Sequence, residues 1–107
     1  MAKRSRTERR EREREAKKLA EARVKLAALE PGGAPDRPVE VTSASVIEPH
    51  AASMPCAACG ELAVRVDEHV AVTLGTDERR LRVVRARCAR CGYKRDVYFR
   101  IGTALVN

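Results

Sequence analysis

Tryptophan is absent, and aromatic residues make up only 3% of the 107 positions. Tyr93, Tyr98 and Phe99 are the whole aromatic complement, and all three lie in the C-terminal quarter. Anything before Pro55 that folds must therefore do so on alanine, valine and leucine. Long apolar runs are missing as well. No stretch approaches the roughly 18 residues that a membrane span needs, so no membrane association is expected. Charge continues to Lys18 with no apolar segment behind it, which is wrong for an export signal. The expectation is a cytoplasmic protein, whose thiols stay reduced and available to a metal rather than to disulfides. The chain also lacks a Gly-rich phosphate loop and any plausible nucleophile–base pair, and it is too short to wall a large pocket. An enzyme acting on a small-molecule substrate is not expected.

What is abundant is positive charge. The formal net charge is +7 and the pI near 9.7. Residues 1–30 hold eleven Lys/Arg against six Asp/Glu, residues 31–55 one against three, and residues 56–107 ten against six. An imbalance of this kind points to nucleic acid, an anionic membrane surface or an acidic partner, and says nothing about fold.

Three segments follow from local pattern. Residues 1–30 are expected to form a basic, charged helical extension. Ser5 followed by Glu8 fits a capping box, and Pro31 with Gly32-Gly33 ends the pattern. Glu8→Arg12, Glu13→Lys17 and Glu21→Lys25 are favourable i,i+4 pairs, offset by like-charged pairs at the same spacing. Leu19, Ala22, Leu26 and Leu29 share one stripe but span under two heptads, too few for a sustained coiled coil. Residues 31–54 read as a flexible Pro/Gly/Ser-rich linker, with all five prolines between positions 31 and 55. Val39-Glu40-Val41 and Val46-Ile47 offer no more than brief strand contacts there. Residues 55–107 alternate in a β-like way: Leu62, Val64 and Val66, continued on the same face by Val70, Val72 and Leu74. A turn follows at Gly75-Thr76-Asp77-Glu78, then a strand from Arg79 to Arg87 and a last strand from about Tyr93 to Ile101. The Val83-Val84 doublet marks either a bulge or burial on both faces. Three antiparallel strands are too few to be secure on burial alone.

Four cysteines supply what is missing. Cys56-Ala-Ala-Cys59-Gly60 and Cys88-Ala-Arg-Cys91-Gly92 are two CxxCG units, separated by a length that suits one long hairpin bringing both turns to one end. A two-residue spacer lets a tight turn present two thiolates, and four thiolates complete the tetrahedron of a structural zinc. Iron bound by four cysteines uses the same ligands, and a lone redox CxxC would leave the second pair unexplained. His50 and His69 are then not needed as ligands, and the acidic pair Asp77-Glu78 reads as turn chemistry.

The stretch from Pro55 to Tyr98 resembles a zinc ribbon of the two-CxxCG type, a family found in transcription factors, polymerase subunits, ribosomal proteins and transposases. Its likeness is to small bacterial zinc-ribbon proteins, through Leu81-Arg82-Val83-Val84 before the second knuckle and Tyr98-Phe99-Arg100 at the end. The resemblance implies a three-stranded antiparallel ribbon holding one structural Zn²⁺ on Cys56, Cys59, Cys88 and Cys91. It implies no other residue's role.

The expected function is binding without catalysis. Arg79, Arg80, Arg82, Arg85, Arg87, Arg90, Arg95 and Arg100 would meet phosphates together with the basic arm, and Tyr93 and Tyr98 would stack on bases. The expected partner is a nucleic acid or a ribonucleoprotein or transcription complex. Set against that, the arginines read as edge-strand charges that prevent aggregation. The alternative function is a protein-interaction module docking on a larger complex, with the N-terminal helix as a second contact tethered by the proline-rich linker.

Overall fold

The computed structural model describes residues 5–76 and 78–102, so Asp77 of the expected acidic turn lies outside the described residues. A long helix, α1 (Arg6–Leu29), leads into strand β1 (Val39–Val41), a 3₁₀ turn (Ala44–Val46) and a short helix α2 (Ile47–Ser53). Strands β2 (Val64–Leu74), β3 (Arg79–Cys88) and β4 (Lys94–Ile101) follow. Together they form one open, small four-stranded sheet in the order β1-β4-β3-β2.

The segment read as a linker thus contributes two elements, and the sheet has four strands rather than three. β1 lies parallel to β4 at the sheet edge, Val39 opposite Phe99 and Val41 opposite Ile101. Its two valines alternate around Glu40, and Pro38 stands just outside the strand, where a missing N–H costs no ladder bond. α2 tolerates Pro49 because that residue sits in the first turn, where the backbone N–H has no intrahelical partner. Ile47, Ala51 and Met54 recur at i, i+4 and i+7, the spacing of one helical face. That face closes the core: Ile47 and Ala51 are 0% exposed and pack with Val84, Ala86, Val97 and Phe99. The His50 ring stands edge-on to Phe99, with centroids 5.5 Å apart.

β3 is central and buried on both faces. Val84 and Ala86 face α2, while Leu81 and Val83 lie on the opposite side beside Val72, Val70 and Tyr98. The Val83-Val84 doublet is therefore two-sided burial. The bulge falls on β2 instead, between Val66 and Glu68. It flips the alternation, so that Val64 and Val66 pair with Cys88 and Ala86 while Val70 and Val72 pair with Val83 and Leu81 on the other face. These valines do not share one face, and Leu62, 77% exposed, lies outside the strand.

α1 starts at the expected cap: the backbone N–H of Glu8 donates to Ser5 Oγ at 3.2 Å. Every residue from Ser5 to Leu19 is exposed. At 1.5 Å per residue its 24 residues extend about 36 Å, which accounts for much of the molecule's 68 Å long dimension. Leu19, Leu26 and Leu29 remain exposed, whereas Val24 and Ala27 are half-buried towards the sheet.

Candidate metal centre

The two CxxCG units fold into matching knuckles. In the first, the Gly60 N–H donates to the Cys56 carbonyl and the Cys56 N–H to the Glu61 carbonyl, both at 2.9 Å. In the second, Gly92 N–H bonds the Cys88 carbonyl at 2.9 Å and Cys88 N–H bonds the Tyr93 carbonyl at 3.0 Å. Gly60 and Gly92 have φ of 78° and 80°, a conformation that disfavours any side chain and closes each turn. A bond from Ala89 N–H to the Ala63 carbonyl, 2.8 Å, ties the knuckles side by side.

This arrangement turns all four sulfurs to one point. Cys56 Sγ lies 3.6 Å from Cys91 Sγ, and Cys59 Sγ lies 3.7 Å from Cys88 Sγ. All four sulfurs fall within 4.8 Å of one another. A disulfide would need about 2.05 Å, so these are free thiols. A tetrahedral ion with metal–sulfur bonds near 2.3 Å would set its sulfurs about 3.8 Å apart, close to the observed spacing. The donor set therefore fits a metal ion, and the four cysteines named from the sequence are the ones brought together.

The backbone is prepared for thiolate. Cys56 Sγ accepts from the N–H groups of Ala58 and Cys59 at 3.4 and 3.5 Å, and Cys88 Sγ accepts from Arg90 and Cys91 at the same distances. The Cys91 N–H, aided by that of Arg90 and by the Cys59 thiol, holds Cys88 down to about 6. Cys91 itself is drawn down by the Tyr93 backbone, yet lost hydration and the three other sulfurs push it up to about 12. Cys59 is drawn down by the Glu61 backbone, and lost hydration and the Cys56 and Cys88 sulfurs outweigh that and raise it. Four crowded thiols resist ionising together without a cation. Cys56 and Cys88 are buried and Cys91 is exposed, so the centre opens to solvent at one corner.

The arginines named from the sequence do not converge in the same way. Arg85 pairs with Glu68 at 2.9 Å, Arg87 makes two 3.3 Å bonds to Asp67, and Arg100 pairs with Glu40. Arg82 lies 3.4 Å from His69, whose other ring nitrogen is 3.5 Å from Glu48. Arg79 is also engaged. Among the described residues only Arg80, Arg90 and Arg95 of the eight are unpaired, and they lie on different elements. Tyr93, Tyr98 and Arg95 do come together, in a groove beside α1 that sequence pattern did not foreshadow. Nor did it foreshadow Arg23, whose guanidinium donates to the Cys59 carbonyl at 3.1 Å and joins α1 to the first knuckle.

No protein-family profile, curated protein or solved structure matches the chain. Among the described residues no helix is long and apolar enough to cross a membrane.

Proposed function

We propose that this chain is a non-catalytic zinc-ribbon module that presents a basic helical arm to nucleic acid. The ion would be a single structural Zn²⁺ on Cys56, Cys59, Cys88 and Cys91. Four thiolates leave no open coordination position for water or substrate, which supports clamping over chemistry. The observation that carries the binding reading is α1. From Arg6 to Lys18 it holds seven Lys/Arg against four Glu, all exposed, on a rod that among the described residues is tied down at its far end. A cationic helix of that kind attracts a phosphate backbone, and each phosphate it neutralises releases counterions.

The test is a titration of the zinc-loaded chain with labelled RNA and DNA oligomers at about 50 and 200 mM salt, where even three phosphate contacts cost about 20- to 40-fold in affinity. Deleting residues 5–18 should weaken binding strongly and leave the metal bound. Affinity that ignores salt, or is equal without the arm, refutes the reading. The alternative, docking on a protein complex, draws support from the paired arginines of the sheet and from the open outer edge of β2, which can accept a further strand.

A further inference from the structure

The groove beside α1 gathers two aromatic rings, an arginine and an open strand edge. It holds about 220 Å³ between Val24, Ala27 and Ala28 of α1, Tyr93 of the second knuckle, and Arg95, Asp96 and Tyr98 of β4. Both tyrosines are half-buried, and their hydroxyls reach solvent with no protein partner among the described residues. Arg95 and Asp96 are unpaired among the described residues too. Arg85, which lies opposite Asp96, bonds Glu68 instead. The backbone is also available here. Tyr98 N–H points outward to the Gly32 carbonyl at 2.9 Å, and strand alternation turns the N–H and C=O of Asp96 the same way. β1 begins only opposite Phe99, so no strand meets them.

Resting on the nucleic-acid reading above, we infer that this groove is a pocket for one unstacked nucleobase of a single strand. Its size is below that of ordinary drug-sized sites and suits one planar heterocycle. The tyrosine rings supply the stacking face, the outward edge of Asp96 supplies donors and acceptors for the base, and Arg95 meets the adjoining phosphate. α1 then does two jobs: its basic half holds the backbone, and its small-residue end forms one wall of the base pocket.

The chain reports on this directly. It has no tryptophan and two tyrosines, and both line the groove, so tyrosine emission of the intact protein reads this site alone. Zinc-loaded protein is titrated with a short single-stranded oligonucleotide, with the same oligomer lacking bases, and with a duplex of the same bases. Labelled-strand anisotropy reads binding in parallel. The single strand should quench tyrosine emission, while the abasic strand and the duplex bind through the arm without quenching. Ala28→Leu, which fills the groove with a good helix former, should abolish quenching and leave abasic binding intact. Tyr98→Ala should weaken single-strand binding about 5- to 150-fold, and Tyr98→Phe, which keeps the ring, should not. Single strand that binds without quenching, or quenching equal with the abasic strand, overturns the pocket while sparing the arm. Failure of every oligomer to bind overturns both.

Discussion

Single residues set the chemistry of the metal centre. The knuckle backbone holds Cys88 ionised at neutral pH, near 6, while Cys59 and Cys91 are raised. A metal must displace whatever protons its ligands still carry. Binding at pH 7 should therefore release fewer than four protons, and the number should climb as pH falls below about 6 and Cys88 becomes protonated. Affinity should fall steadily over the same range, because acid opposes the ionisation of every ligand. Calorimetric zinc titrations in buffers of different ionisation enthalpy measure both; a release of four protons at pH 7 would contradict the assignment to Cys88. Away from the metal, Ile47 is 0% exposed and wedged against Phe99 and Val84. Ile47→Ala should cost about 2–5 kcal/mol in denaturant unfolding of the zinc-loaded protein. Leu29→Ala, at a position 66% exposed, should stay within about 0.5 kcal/mol.

At the scale of elements, the junction between α1 and the sheet depends on a close approach. A Cβ on Gly33 would lie 2.2 Å from the Ala27 carbonyl oxygen, which is backbone and cannot swing aside. Arg37 reinforces the turn by donating to the Ala28 carbonyl at 3.0 Å. Gly33→Ala should therefore prise α1 away from the sheet without unfolding it. Amide exchange should quicken across residues 24–30 and stay slow in β3, and unchanged exchange at both would refute the wedge. This junction also marks where sequence stops being informative. The four cysteines, the helix cap and strands β2 to β4 were legible because spacing and alternation are local properties. β1 and α2 were obscured by proline, which argues for a linker unless its position within each element is known. The Ile47, Ala51, Met54 spacing was a usable helical signal, but seven residues make it easy to overlook. The bulge after Val66 was invisible, because an extra residue shows only as register against a partner strand. The pairing of arginines with Asp67, Glu68 and Glu40 was likewise out of reach, since it joins residues from different strands.

The whole molecule divides its stability between two ends of one sheet. At one end, α2 and the sheet close a core of six fully buried side chains, one of them aromatic. At the other, the knuckles bury Cys56, Ala57 and Cys88, with Val64 of β2 opposite Cys88. A core this small leaves little margin after the chain entropy is met. A structural zinc contributes an apparent 10–16 kcal/mol, roughly, in small metal-folded peptides, more than a domain of this size holds in net stability. Chelation should therefore remove the cooperative transition of the sheet rather than merely lower its midpoint. The consequence reaches the arm, because Arg23 bonds a carbonyl that is in place only while the first knuckle is closed. Stripping the metal should loosen α1 at its fixed end, and an exposed helix without tertiary support is marginal in water. Far-UV circular dichroism of the chelated protein should then show losses of both strand and helix signal, restored together by stoichiometric Zn²⁺. A chelated protein that keeps a sharp unfolding transition would mean that the α2 core suffices alone, and the cysteine cluster would have to serve something other than the fold.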